Sequence, residues 1–325
     1  MSVQPALGEF DLIARWFTRP ARRAVLGVGD DCALLQPGPG QQLAISSDML
    51  VEGRHFLSTV PPRSLGHKAL AVNLSDLAAC GARPRAFTLA LALPRVDEAF
   101  LEGFSQGLWA LAEQHDIELV GGDTTAGPLN ICVTVLGEVP AGQALLRSAA
   151  QPGDELWVSG QLGEARLALE AFRGTLALST EGLRSARRAM EEPQPRVALG
   201  LALRGVAHAA IDLSDGLLGD LGHVLRRSGV GAQLALEQLP CSDQLRAQPE
   251  AVQRICLLTG GDDYELLFTA APSQREAVWR AAHASGTAVT AIGRIVAGRG
   301  LEVHDAQGRA VDLHGLRAFD HFAPS

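Results

Sequence analysis

The chain has 325 residues, 47% hydrophobic and 20% charged, with a formal net charge of −8. That length suggests about two domains, each able to bury its own core, and the composition excludes a disordered or collagen-like chain. The acidic balance argues against an electrostatic grip on nucleic acid or on an anionic membrane.

The opening residues, MSVQPALGEF, have no basic segment ahead of an apolar core, so no signal peptide is expected. No apolar run approaches the ~20 residues of a membrane span. Residues 9–17 carry apolar side chains at helical spacing. Residues 25–28 and 43–47 read as short strands, each running into aspartates. A helix is expected over 64–80, stopped by Gly81 and Pro84, followed by a buried strand over 87–93 that ends at Pro94. Then come a helix at 97–115, with Asp97 as its cap, strands at 117–120 and 130–139, and a loop over 140–152. After the loop the pattern restarts, with a strand at 155–158 and helices at 164–172 and 196–207. A strand at 209–213, a helix at 216–227, a strand at 265–269, a helix at 273–284 and a strand at 288–292 complete it. Strands alternating with helices in both halves predict two α/β domains, divided as 1–145 and 146–325. The five cysteines (Cys32, Cys80, Cys132, Cys241 and Cys256) form no C-x-x-C pair and read as small core residues of a reducing, cytoplasmic setting.

Half of the 18 aspartates fall in short Gly- or Ser-bearing stretches at expected strand or helix ends. They are Asp30 and Asp31 in Gly27-Val-Gly-Asp-Asp31, Asp48 in Ser46-Ser-Asp48, Asp76 in Asn73-Leu-Ser-Asp76 and Asp123 in Gly121-Gly-Asp-Thr124. The remaining four are Asp212 and Asp215 in Asp212-Leu-Ser-Asp-Gly216, and Asp262 and Asp263 in Gly260-Gly-Asp-Asp-Tyr-Glu265. Taken singly, each is an N-cap or turn former, and Asp215, just ahead of a helix, is the one expected to double as a cap. Collectively they point elsewhere. Two carboxylates ~5 Å apart repel by about 3 kcal/mol at an effective dielectric of ~20, so converging carboxylates call for cations. Carboxylates with the hydroxyls of Ser46, Ser47 and Thr124 suit Mg²⁺ or Mn²⁺ rather than zinc, and Mg²⁺ held by few carboxylates is the usual partner of nucleotide phosphates. An EF-hand fails, because 212–216 puts glycine at loop position five and His223 at position twelve. Walker A, protein-kinase and G-x-S-x-G signatures are absent.

Together the motifs resemble the thiamine-monophosphate kinase family of the aminoimidazole-ribonucleotide-synthetase-like (PurM-like) superfamily. The resemblance rests on Gly27-Val-Gly-Asp-Asp31, Ser46-Ser-Asp-Met-Leu-Val-Glu-Gly-Arg-His-Phe56, Gly66-His-Lys-Ala-Leu-Ala-Val-Asn-Leu-Ser-Asp-Leu-Ala-Ala-Cys-Gly-Ala82, Gly121-Gly-Asp-Thr124, Asp212-Leu-Ser-Asp-Gly-Leu217 and Gly260-Gly-Asp-Asp-Tyr-Glu-Leu266, with Phe319-Asp-His-Phe322 near the end. It implies a two-domain α/β fold of the α+β type, with an N-terminal sheet domain that pairs in a homodimer and a C-terminal α/β domain. It also implies transfer of the γ-phosphoryl of ATP to thiamine monophosphate, with several Mg²⁺ and neither nucleic acid nor membrane as partner. By the same resemblance, Asp30, Ser46, Ser47, Asp48, Asp76, Asp123, Asp212 and Asp215 would bind Mg²⁺. Gly122, Asp123, Arg147 and Ser214 would contact ATP, and His55, Asp263 and Phe319 the acceptor. The family commonly has Gly-Glu-Asp-Tyr-Glu where this chain has Asp262-Asp263-Tyr264-Glu265, which leaves open whether Asp262 or Asp263 meets substrate. Many members carry threonine where Ser46 and Ser47 stand.

Without that resemblance His55 is a structural histidine, Arg147 a solvated loop residue and Phe319 a packing anchor, while Lys68 takes no role. Two other readings compete. One is another enzyme of the same superfamily, an aminoimidazole ribonucleotide synthetase or a selenophosphate synthetase. The latter needs a reactive cysteine beside a lysine, which Cys32 lacks. The other is a non-catalytic protein stabilised by Ca²⁺ or Mg²⁺.

Overall fold

The computed structural model of the chain describes residues 8–319. It divides into two compact units, Met1–Leu77 with Arg83–Ala141, and Ala78–Ala82 with Gly142–Ser325.

The first unit opens with helix α1 (Glu9–Leu12), which continues as a π-helical turn over Ile13–Phe17. Strand β1 (Gln41–Val51), helix α2 (Pro62–Ala79), strand β2 (Arg83–Leu93), helix α3 (Glu98–Gln114), strand β3 (Glu118–Ala126) and strand β4 (Asn130–Pro140) follow. The sheet order is β1-β4-β2-β3, antiparallel except for the β2–β3 pair. One face is buried, through Leu89, Leu91, Val133 and Val135 among others. On the other face Leu43, Ile45 and Met49 of β1 stand in water, with Ile45 61% exposed. As the sequence predicts, Asp97 caps α3, accepting from the Phe100 N–H at 3.1 Å. The expected strand at 25–28 is not a strand but makes isolated bridges only. The N–H groups of Arg22, Arg23 and Ala24 just before it donate to the buried carboxylate of Glu118 instead of to a partner strand. Strand β3 outruns its expected end at 120 by six residues.

His115 closes α3, and its Nε2 is buried with no hydrogen-bond partner among the described residues. Burial, then the charge of His67, lowers its pKa to about 4. Because the folded value lies below the unfolded one, the neutral ring's contribution to stability is complete above pH 6.5 and is lost as the pH falls towards 4. The melting temperature of wild type is therefore expected to fall more steeply between pH 6.5 and 4 than that of His115→Phe. Parallel slopes in the two proteins would remove His115 as the cause.

The second unit contains strand β5 (Glu155–Ser159), helices α4 (Glu164–Phe172), α5 (Thr180–Glu191) and α6 (Val197–Ala202), strand β6 (Ala209–Asp212), helix α7 (Leu217–Ser228) and strand β7 (Gly231–Ala235). Helices α8 (Asp243–Arg246) and α9 (Glu250–Thr259), strand β8 (Leu266–Ala270), helix α10 (Arg275–Ser285) and strands β9 (Val289–Val296) and β10 (Gly300–His304) complete it. The sheet order is β10-β7-β9-β5-β8-β6, with only β10–β7 parallel. Alternation along β5 puts Leu156 and Val158 into a core with Leu167 of α4, Leu221 of α7 and Leu258 of α9. Trp157 points to the other face, stacked on Phe268 and edge-on to Trp279 of α10 at 5.4 Å. Helices thus cover both faces of this sheet. The helix expected over 196–207 is confined to α6. The cysteines are all free, but only Cys241 and Cys256 are buried, so Cys32, Cys80 and Cys132 are not the core residues their scatter suggests. No helix among the described residues is long and apolar enough to cross a membrane.

Candidate functional site

In the first unit, period-two alternation puts Ser46 and Asp48 on the face of β1 that meets α2. The Ser46 hydroxyl donates to Asp76 Oδ2 at 2.5 Å, and the Asp48 N–H donates to Asn73 Oδ1 at 3.0 Å. Asn73 is held in turn by its own donation to the Ala69 carbonyl. Two residues of one strand and two of one helix are therefore in register, three residues apart on α2, which is why both aspartates arise from a single strand–helix pair. Ser47 lies on the opposite face, hydrogen-bonded to Thr134 at 2.9 Å and to the Val133 carbonyl. Asp123 is exposed on β3, paired in register with Ala90 of β2, which pairs with Cys132 of β4 and so with Met49 of β1. That row places Asp123 on the face of Ser47, three strand spacings or roughly 14 Å from β1. One ion cannot bridge Asp48 and Asp123 across that width. Gly122 has φ +149°, and a Cβ there would sit 1.9 Å from the Leu89 carbonyl oxygen, so only glycine lets β3 carry Asp123 past β2. Asp30 is exposed in the turn after Gly29, its Oδ1 accepting from the Asp31 N–H. His55 lies in a turn after β1, where its Nδ1 accepts from the Val51 N–H at 2.9 Å.

In the second unit the stretch after Gly260 runs beside the stretch after β6. Tyr264 N–H donates to the Leu213 carbonyl, Asp262 N–H to Ser214, and Leu213 N–H to Glu265, prolonging the β6–β8 pairing by hand. A Cβ on Gly261 would lie 2.5 Å from the Ser214 carbonyl oxygen, so the two motifs touch backbone to backbone. Asp262 and Tyr264 have φ of 67° and 50°, a left-handed conformation that non-glycine residues hold only under constraint. Asp212 ends β6 and is buried; Ser214 and Asp215 are half-buried just before α7. The Phe319 N–H donates to the Asp215 carbonyl at 3.1 Å, which brings the tail to this place, with the Phe319 ring exposed. Residues 320–322 of the tail motif lie outside the described residues. Arg147 is exposed, its carbonyl accepting from Ser228 at the end of α7. The two neighbouring aspartates diverge. Asp262 accepts from the Tyr264 hydroxyl at 3.1 Å, whereas Asp263 turns both oxygens to the Gly163 N–H at the start of α4. Burial, then Glu265, Asp262 and Glu164, push the Asp263 carboxyl well above the usual range against the pull of that N–H.

Asp215 does not cap α7, as its position suggests. Gly216 stands at the N-cap, and Asp220 of the first turn reaches back, its Oδ2 accepting from the N–H groups of Ser214, Asp215 and Gly216, each at 3.1 Å. Burial and the nearby Asp215 raise its pKa to about 7. Sequence reasoning passed over Asp220, although it falls on the apolar stripe of Leu217, Leu221 and Val224, and a carboxylate on a buried stripe is itself a signal.

Family models match both halves of the chain: AIR synthase related protein, N-terminal domain, over residues 29–139, and its C-terminal domain over residues 151–306. Thiamine-monophosphate kinase from Salmonella typhimurium is 47% identical over 98% of this chain and 99% of its own length. The chain belongs to the thiamine-monophosphate kinase family. The enzyme of that name from Haemophilus influenzae is 41% identical over 98% of this chain and 99% of its own. Among solved structures, thiamine-monophosphate kinase from Stenotrophomonas maltophilia K279a is 48% identical and superposes with a TM-score of 0.83, covering 92% of this chain and 95% of that one. AaThiL complexed with AMPPCP and TMP is 29% identical with a TM-score of 0.76, over 88% and 89% of the two chains. Hydrogenase maturation protein HypE in complex with ATP, at 20% identity and a TM-score of 0.76, shares the fold alone. The two-domain α/β architecture of this kinase family is thereby established for the chain.

Proposed function

We infer that this chain transfers the γ-phosphoryl group of ATP to the phosphate of thiamine monophosphate, giving ADP and thiamine diphosphate. The observation that carries the reading is the strand–helix set of Ser46, Asp48, Asn73 and Asp76, in a chain 47% identical from end to end to named kinases of this substrate. A phosphate oxygen of the acceptor attacks the γ-phosphorus as the bond to the β,γ-bridging oxygen breaks and ADP leaves. The attacking oxygen is already anionic, so no strong general base is needed, in keeping with carboxylates and hydroxyls in place of a nucleophile–His–Asp arrangement. What the protein must do is bring two polyanions into line.

The side chains fit Mg²⁺: all candidate donors are oxygen, and Ser46 and Asp76 already lie in hydrogen-bond contact. Among the described residues no three His, Cys, Asp or Glu side chains gather around a common point, and Mg²⁺ on nucleotides typically takes one or two carboxylates with phosphate and water oxygens. When bound, Mg²⁺ neutralises phosphate charge and clamps the transferring group. In our reading Asp30, Ser46, Ser47, Asp48, Asp76 and Asp123 of the first unit are Mg²⁺ ligands, as are Asp212 and Asp215 of the second. Gly122, Asp123, Arg147 and Ser214 contact ATP. His55, Phe319 and one of Asp262 and Asp263 contact the acceptor. We divide these tasks at 1–145 and 146–325, and place the enzyme in the cytoplasm, where free thiols persist. Purified protein with MgATP and thiamine monophosphate should release ADP and thiamine diphosphate in equal amounts; folded protein giving neither product refutes the reading.

The same reading makes the protein a homodimer. The exposed face of the first sheet offers Leu43, Ile45 and Met49 in one stripe, and an open apolar sheet face is a surface for a second copy. That face also bears Ser47 and Asp123, so pairing through it brings a second copy to the two candidate ligands that turn away from Asp48. Sedimentation at micromolar concentration should give twice the 34.2 kDa chain mass, and Ile45→Asp should give the single chain. A monomeric wild type contradicts the pairing.

A further inference from the structure

Of the 28 basic residues in the chain one is lysine, Lys68. Among the described residues it is also the one Lys or Arg that is fully buried, 2% exposed inside α2 between Leu65 and Val72. A buried ammonium is costly unless protein oxygens replace its water. Lys68 Nζ donates to the carbonyl oxygen of His55 at 3.0 Å. That carbonyl belongs to the turn over residues 51–56, which is tied by His55 N–H to the Val51 carbonyl at 3.0 Å and by Gly53 N–H to the Phe56 carbonyl at 2.9 Å. The ring of His55 is gripped by the same turn. Its Nδ1 accepts from the Val51 N–H, so the neutral imidazole carries its proton on Nε2, which is then a donor.

The residue type follows from this setting. A guanidinium presents five donors in a rigid plane, whereas an ammonium is a compact point charge on a flexible stem that fits a narrow buried place beside this carbonyl. An apolar side chain would leave the His55 carbonyl without this donor and free the turn to relax. We propose that Lys68 is a positioning residue, whose buried ammonium holds the turn over residues 51–56 so that His55 presents its Nε2–H to an anionic oxygen of the phosphorylated acceptor. This rests on His55 contacting that acceptor, as read above.

The test uses the full chain as wild type, Lys68→Met, Lys68→Gln, His55→Ala and the His55→Ala/Lys68→Met double variant. Lys68→Met should raise KM for thiamine monophosphate about ten-fold, the size of one lost oriented hydrogen bond, with KM for ATP unchanged and kcat within about three-fold. Long-range ¹H–¹⁵N spectra should show His55 passing from a single Nε2–H tautomer to exchange between tautomers. The double variant should be no worse than His55→Ala, because Lys68 acts through that ring. Lys68→Gln, which keeps a neutral donor, should recover part of the KM and serves for the same measurements if the methionine variant does not fold. Wild-type KM in Lys68→Met with a raised KM in His55→Ala overturns the role of Lys68, as does a double variant whose loss multiplies those of the singles. Wild-type KM in His55→Ala instead overturns the substrate contact on which the proposal stands, so the two failures are told apart.

Discussion

Asp212→Asn is expected to lower turnover about 10²–10³-fold, as removal of one oriented electrostatic group at a charged transition state does, with little change in melting temperature. Asparagine has the shape of aspartate, so the packing at the end of β6, where Asp212 is 4% exposed, survives. What disappears is one negative charge at the point where the chain leaves the sheet towards Ser214 and Asp215. Burying an ionised carboxylate is itself costly, and the asparagine amide keeps a hydrogen-bonding oxygen in the same place. If Asp212 holds Mg²⁺ on the nucleotide, the variant should also need more Mg²⁺ to reach its reduced maximum. The check is ADP release across a Mg²⁺ titration, alongside thermal unfolding of the same samples. Turnover within three-fold of wild type at every concentration would take Asp212 out of the metal set.

How far the sequence anticipates this place depends on whether the signal is local. Residues 164–172 and 97–115 were legible because their periodicity, caps and stops all lie within the element itself. Helix α5 was not, since only Ala186, Met190 and Glu191 are buried and most of the rest of its length is polar or charged. Short β7 and β10, bounded by glycine, offered too few β-branched residues to stand out. Residues 25–28 had strand-like composition, but the carboxylate of Glu118, distant in sequence, claims the neighbouring N–H groups.

The candidate site divides in the same way. Its aspartates were legible because glycine and serine beside a carboxylate are unusual and repeat along the chain. Alternation parts Ser47 from Ser46 and Asp48, but the face of Asp123 follows only once the strand order and register are known. The divergence of Asp262 and Asp263 depends on left-handed backbone that composition does not announce. Asp220 goes unnoticed and Lys68 takes no role for one shared reason: a charged residue inside a helix gives no sign of its setting until its partners, here three N–H groups and a remote carbonyl, are in view.

Arg196→Met is expected to cost about 3–5 kcal/mol, the range for stripping one partner from a buried ion pair, or about 10 °C in melting temperature for a domain of this size. Glu265 is 5% exposed. Arg196 grips it with two parallel bonds, Nε to Oε2 at 2.7 Å and Nη2 to Oε1 at 2.5 Å, and Ser159 adds a third at 2.5 Å. Ser159 in turn accepts from the Leu266 N–H, which ties the pair to the first residue of β8. Without the guanidinium, Glu265 is a buried charge close enough to Asp263 to push that carboxyl upward. Arg196→Lys keeps the charge but not the fork and should lose roughly half as much. The double change Arg196→Met/Glu265→Leu removes both charges and should recover most of the loss. Denaturant unfolding of the three variants decides the matter, and a methionine variant within 1 kcal/mol of wild type would show that the pair is not the anchor. The effect should also reach the chemistry before the protein unfolds. Asp262 and Tyr264 hold left-handed backbone at about 1–2 kcal/mol each, a strain borne by the bonds to Leu213 and Ser214 together with the anchored Glu265 at the end of the segment. Released, the stretch over residues 260–264 relaxes away from Ser214, and KM for the phosphorylated acceptor should rise at temperatures where the variant is still folded.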